Sequence, residues 1–372
     1  MSFGLLALCV LMMLTAFAVA LARRLRLPAT VLFAAFGVFQ GVLTSIFGFE
    51  AFGGLLDSYD MWFVSQLGVQ SDALLAIFLP PLLFEMAIAV NVRRLLDDAA
   101  LVLVMAVLAV VFATTAVGGA VWLATSIGLV ASLLLGAAVA TTDPGAVIST
   151  FREIGAPKRL TVLLEGESLL NDAAAIAIYG LLLALLRSAV EPSLAGVLLS
   201  FLYDFIVGGA IGGGTAVLVG RFYPLLSRSV AAETSLTMAI AYGAFLLAEM
   251  AFSASGVVAV VVAGLVTGTS AYLKMGPGNW RMVQTVWVQI GFWANAIIMI
   301  LAASLVPGLI LEVGWVVVPL VALAYLATLA ARAATLFAAA PLLERLRLAE
   351  PLETAQSVLV LWGGVRGSVT LL

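Results

Sequence analysis

The residues able to do chemistry fall in three short strings set inside apolar sequence: Phe78-Leu79-Pro80-Pro81-Leu82-Leu83-Phe84-Glu85, Thr141-Thr142-Asp143-Pro144-Gly145 and Glu165-Gly166-Glu167-Ser168-Leu169-Leu170-Asn171-Asp172. On an α-helix Ser168 and Asp172 lie one turn apart and share a face, whereas Glu167 points about 140° around the helix from Asp172. One face therefore presents a hydroxyl and a carboxylate, and another presents a second acid. A carboxylate at the centre of an apolar helix cannot stay ionised without a proton, a cation or a base beside it. If a proton and a cation take turns there, Asp172 is an exchange site. The competing reading is a structural pair with a buried arginine, and for Glu167 that reading is preferred.

Thr-Thr-Asp-Pro-Gly sets a helix breaker and its most permissive neighbour inside a run that otherwise reads as helix. Proline removes a donor and clashes one turn back, so the helix should be interrupted there. Interrupted helices within a membrane survive where they line a cavity or are buried in protein, and their exposed carbonyls and helix ends can bind cations. The alternative is a plain kink, with Asp143 capping the half-helix that follows.

Composition sets the elements that must hold these groups. Of 372 residues, 64% are apolar and 10% charged, and mean hydropathy is +1.22. Ordinary soluble domains are about half apolar and a quarter charged. The net charge of -3 gives no sign of a nucleic-acid partner. A lone Cys9 excludes an internal disulfide, and the absence of histidine leaves carboxylates to supply any pH dependence near neutrality. Runs long enough to cross a bilayer lie near residues 3-21, 28-47, 70-90, 99-123, 125-150, 160-186, 194-221, 232-252, 254-270, 282-304, 313-339 and 354-372. The first is read as a retained helix and not a signal peptide, because no base precedes it and no small-residue cleavage site follows.

Basic residues test this partition. Arg23, Arg24 and Arg26, Arg93 and Arg94, Arg152, Lys158 and Arg159, Arg221 and Arg228, Lys274 and Arg281, and Arg345 and Arg347 all follow odd-numbered runs, and make up most of the 17 Lys and Arg. Connections after even-numbered runs carry only Arg187. The positive-inside rule then puts the N-terminus outside and the loops after odd-numbered helices in the cytoplasm. Arg332 and Arg366 fall inside runs. The sequence shows no linker or soluble domain, so residues 1-372 read as one all-α, multi-pass membrane domain in the lipid bilayer, with its last run cut short at Leu372.

These strings resemble the monovalent cation/proton antiporter family that includes prokaryotic NhaP-type antiporters and animal sodium/proton exchangers. The likeness extends to Ala-Glu with a following Ser-Gly and Ala-Gly-Leu-Val at 248-266 and to Gly-Gly-Val-Arg-Gly at 363-367. Gly-Glu-Ser-Leu-Leu-Asn-Asp at 166-172 is the most specific part, whereas Thr-Asp-Pro alone is weak.

The resemblance implies sodium/proton exchange by alternating access in a prokaryotic inner membrane, with Na+ and H+ as cargo and no cofactor. Asp172 would be the carrying carboxylate, and Asn171 would mark the branch that is generally electroneutral. Thr142, Asp143 and Ser168 would be its partners, with Asp172, Thr142 and Ser168 holding the cation. Glu85 would border the site, Glu167 and Arg332 would form a buried pair, and Arg366 would stand beside a second broken helix. The family plan is thirteen helices with inverted repeats, two crossed broken helices and a homodimer. Gly145 stands where valine is common, and the run after Asn295 lacks the usual closing glycine. For Asn295, helix-to-helix hydrogen bonding and a site role are equal readings.

Two rival classes are a broken-helix carrier for organic anions, which would favour basic residues at the site, and a passive cation channel or transport-dead sensor, which would need an open pore or lack the carboxylate. Enzymatic chemistry is disfavoured, because no phosphate-binding loop or extramembrane catalytic domain is present.

Overall fold

The computed structural model describes residues 2–25, 27, 29–47, 71–142, 148, 151, 157–187, 194–226, 229–315, 317–346 and 354–362. These are helical apart from short joins, and no strand occurs among them. In chain order the helices are α1 Ser2–Leu25, α2 Ala29–Phe47, α3 Ser71–Ala89, α4 Val92–Asp97, α5 Ala99–Ala124, α6 Leu129–Ala138, α7 Lys158–Arg187, α8 Leu194–Val219, α9 Val230–Leu246, α10 Gly256–Met275, α11 Pro277–Val313, α12 Val317–Arg345 and α13 Thr354–Trp362. A 3₁₀ turn, Gly220–Leu226, extends α8, and π turns lie within α5 at Val104–Leu108 and after α9 at Leu247–Ala251. Among the described residues, six helices are long and apolar enough to cross a membrane, and five more apolar helices are shorter.

The two joins that carry almost no charge in the sequence are closed by side chains. At the first, Thr125 Oγ1 donates to the Val121 carbonyl at 2.7 Å and accepts from the Ile127 amide at 3.3 Å. At the second, Ser253 takes a φ of 49°, Ser255 caps α10 through the Val258 amide, and Glu249 accepts from the Gly256 amide at 3.0 Å. Polar caps thus replace loop charge as the stop signal. The expected 282-304 run is longer in the structure. Gly276, with φ 88°, ends α10, and Pro277, whose missing donor costs nothing at a first helical position, starts a helix of 37 residues.

The chain divides into two compact units. One draws on Met1–Leu82 and Gln289–Val318, the other on Leu83–Val288 and Pro319–Thr370. In the first, Ala18, Phe33, Ala296 and Ile300 form a buried cluster. Gly37 and Gly41, one turn apart on α2, bring that helix so close to α11 that a Cβ on either would fall on the carbonyl of Ile300 or Ser304.

In the second unit α8 and α10 pack the same way. A Cβ at Gly212 would fall on the carbonyl of Ala259, whereas one at Gly214 would meet nothing. Gly212→Ala should therefore lower the thermal unfolding midpoint in detergent. Gly214→Ala should leave it unchanged or raise it, since alanine in a helix interior is favoured over glycine by about 0.5–1 kcal/mol. The same unit holds the Val110, Ala113, Ala140, Ala174, Ala175 and Ala331 cluster, in which small side chains let α5, α7 and α12 approach. Asp98 at the head of α5 receives Arg159 of α7 in two hydrogen bonds of 2.8 Å each, which fixes the ends of these helices together.

Candidate functional site

Helix α6 stops at Ala138, well before Pro144. Its last bonds run from the Val139 amide to the Leu135 carbonyl and from the Ala140 amide to the Ala137 carbonyl. Thr141 and Thr142 then continue without helical structure, yet they are 3% and 5% exposed. Proline alone would free the carbonyl one turn back, so the helix ends earlier than the sequence implied. Asp143, Pro144 and Gly145 lie outside the described residues.

What Thr142 lacks from a helix it finds on α7. Ser168 Oγ donates to the Thr142 carbonyl at 3.0 Å, and Asn171 Nδ2 donates to Thr142 Oγ1 at 2.9 Å. Arg332, from α12, donates through Nη1 to the same Oγ1 at 3.1 Å. Both lone pairs of the Thr142 hydroxyl are then occupied. The oxygen this residue can still lend to a cation is its carbonyl, which retains a second lone pair.

Arg332 also makes a forked pair with Glu167, Nη1 to Oε1 and Nη2 to Oε2, the latter at 2.9 Å, and Nη2 donates further to the Val360 carbonyl at 3.1 Å. Glu167 and Arg332 are 3% and 5% exposed. A planar guanidinium matched to both carboxylate oxygens is the arrangement that best offsets the desolvation of a buried pair. It answers the second acid of α7 and fastens α12, α13 and the end of the broken helix to α7. A cavity with room for about one water lies beside the pair, lined by Thr142, Glu167, Asn171, Thr328, Arg332 and apolar residues of α5.

Asp172 is 4% exposed and sits one helical turn beyond Ser168, on the face that meets Thr142. Asn171 Oδ1 and Arg332 Nε are buried without a hydrogen-bond partner among the described residues. One helix face thus carries a carboxylate and a hydroxyl beside an interrupted helix end, while the buried arginine is directed to the other acid.

Residues 10–372 match the family model described as sodium/hydrogen exchanger, transmembrane. The chain belongs to the sodium/hydrogen exchanger family. It is 33% identical over 316 residues to the Na(+)/H(+) antiporter ApNhaP of Aphanothece halophytica, covering 83% of this chain and 58% of that protein. It is 32% identical over 315 residues to the low-affinity Na(+)/H(+) antiporter NhaS1 of Synechocystis sp., with the same coverage. The chain therefore spans somewhat over half the length of these relatives. The solved structure of the sodium proton antiporter MjNhaP1 from Methanocaldococcus jannaschii aligns over 99% of this chain and 85% of its own, with a TM-score of 0.67 and 17% identity. That likeness shows the fold, and with the apolar helices it makes this family member an integral multi-pass membrane protein.

In this member of the sodium/hydrogen exchanger family, five of the residues singled out from sequence meet directly: Thr142, Glu167, Ser168, Asn171 and Arg332. Glu85, on α3, is partly buried and is not part of their hydrogen-bonded network. Arg366 lies outside the described residues. Asn295 belongs to the first unit, and its Oδ1 has no hydrogen-bond partner among the described residues. The sequence reading passed over Glu233, which is 1% exposed and paired with Asn279 at 2.9 Å. An acid in the first turn of a predicted span was the available signal.

Proposed function

We propose that this chain exchanges a sodium ion for a proton across a membrane by competition at Asp172. The supporting observation is the burial of Asp172 beside Ser168, whose hydroxyl reaches the carbonyl of Thr142 at the end of an interrupted helix. Asp172, Ser168 Oγ and the Thr142 carbonyl are the proposed cation ligands, with Asp143 as their neighbour in sequence. Ser168 spends its proton on that carbonyl, so its oxygen keeps lone pairs for a cation.

One carboxylate that holds either guest is neutral in both forms. Asn171 cannot titrate, and its amide is used to orient Thr142. One sodium for one proton follows, and transport responds to ion gradients and not to voltage. Access from each side in turn would come from movement of packed helices about the site. An organic-anion carrier would instead need a base directed at its substrate, and the terminal nitrogens of Arg332 are committed to Glu167, Thr142 and Val360.

The test is proton flux in sealed vesicles containing the purified chain, challenged with sodium, lithium and potassium salts in turn. Sodium should drive proton movement across the vesicle membrane, and an imposed potassium-diffusion potential should leave its rate unchanged. No cation-driven flux would sink exchange, and strong stimulation by the potential would sink the one-for-one ratio.

A further inference from the structure

The hydrogen bonds around Thr142 use only one end of each group that makes them. Asn171 reaches Thr142 Oγ1 with Nδ2 at 2.9 Å, and Arg332 reaches the same oxygen with Nη1 at 3.1 Å. The other ends of that amide and that guanidinium, Asn171 Oδ1 and Arg332 Nε, are buried and have no hydrogen-bond partner among the described residues. In both bonds the Thr142 hydroxyl accepts, so its own proton is available for a third. Asn171, Thr142 and Arg332 are 2%, 5% and 5% exposed, so bulk solvent does not supply what is missing.

Buried polar atoms without a partner are few in folded proteins, and each calls for an explanation. Here an acceptor and a donor are left over at one place. Both groups are anchored on Thr142 Oγ1, and standard bond lengths keep Asn171 Oδ1 and Arg332 Nε each within about 6 Å of that oxygen. All three residues line the same cavity, which has room for about one water.

The chemistry of the wall selects the occupant. It must accept from a guanidinium N–H and donate to an amide oxygen. An anion would be turned toward Asn171 Oδ1 and the Glu167 carboxylate, and a cation would be turned toward Arg332. The neutral molecule of that size that both donates and accepts is water, which inside proteins typically makes about three hydrogen bonds. Three are on offer here, from Arg332 Nε, from the Thr142 hydroxyl and to Asn171 Oδ1. Thr328, also in the wall, spends its proton on the Ala324 carbonyl at 2.8 Å, and Met105, Ala109 and Ala113 of α5 make the wall apolar on that side.

We propose that an ordered water occupies this cavity as a stabilising part of the protein, bridging Asn171 Oδ1, Arg332 Nε and the Thr142 hydroxyl. It holds the Asn171 amide at both ends and joins the Glu167–Arg332 pair to the end of the broken helix by a second route. The inference does not rest on the exchange reading, because it concerns a bound solvent molecule whatever Asp172 carries.

The deciding experiment is structure determination of the purified protein in lipid nanodiscs, at a resolution that shows ordered solvent at other buried polar groups. A solvent peak should lie within hydrogen-bonding distance of both Asn171 Oδ1 and Arg332 Nε. A map with solvent elsewhere and none between these atoms, or with Nε bonded directly to Oδ1, overturns the proposal. A second measurement uses Ala109→Val, which adds apolar bulk to the cavity wall. In the wild type it should lower the thermal unfolding midpoint, because expelling the water strands both polar atoms. In Glu167→Leu/Arg332→Met protein, where Nε is gone, the same change should lower the midpoint less or raise it. Equal lowering in the two proteins would mean overpacking alone, and a raised midpoint in the wild type would mean a dry cavity; either result overturns the proposal. If the doubly substituted protein fails to fold, the map decides.

Discussion

Asp172→Asn should produce a folded protein that does not exchange, with sodium-driven proton flux falling to that of protein-free vesicles. The change keeps side-chain size and burial but removes the one group on the Ser168 face that can bind either a proton or a cation with full charge compensation. Because an amide is cheaper to bury than a carboxylate, the thermal midpoint should be no lower than that of the wild type. The rival reading makes the opposite forecast. If Asp172 serves as half of a structural ion pair, the substitution should cost stability and leave the flux of the surviving protein intact. Measuring both quantities on one preparation separates the two, and normal exchange by the variant would remove Asp172 from the site.

The second large effect is expected at the Glu167–Arg332 pair. Arg332→Met leaves the Glu167 carboxylate buried without its partner, which typically costs about 3–5 kcal/mol. The same substitution combined with Glu167→Leu removes both charges, and most of that loss should return, because well-packed apolar replacements of buried pairs are often neutral or better. Equilibrium unfolding in mixed micelles would show the recovery as a non-additive cycle. Transport should not recover with it. Arg332 also donates to the Thr142 hydroxyl, so the doubly substituted protein loses one of the three hydrogen bonds that orient Thr142. Equal destabilisation by the single and double changes would mean that the pair holds the helices by packing and not by compensating charge. Full flux from the double variant would mean that Thr142 needs no guanidinium to stay in place.

How far these groups could be read in advance depends on whether their partners are local. Ser168, Asn171 and Asp172 share one helix, and helical periodicity places their faces from spacing alone. That spacing put the serine and the carboxylate together and sent Glu167 elsewhere. The joins at Thr125 and Ser253 were weak in the sequence because their caps act through a hydroxyl and a carboxylate, not through the loop charge that topology rules count. The early stop at Ala138 was invisible for a different reason. Proline accounts for the lost donor near position 144, but the earlier stop is supported by Ser168 and Asn171 on another helix. Gly37, Gly41 and Gly212 carry no local signal in the sequence, because what singles them out is an opposing carbonyl on another helix.

By itself the sequence determined the class: an apolar chain whose few acids sit where water is scarce, on helices whose order and approximate bounds follow from hydropathy and basic loops. Those properties are sums and periods over neighbouring residues. Tertiary structure alone decided that Arg332 reaches the Thr142 hydroxyl as well as Glu167, and which oxygen of Thr142 remains open. Each of these depends on a distance between segments far apart in the chain. In a medium of low dielectric such distances select the partner of a buried charge, because an ion or a lone pair left unmatched there costs more than any local preference can return.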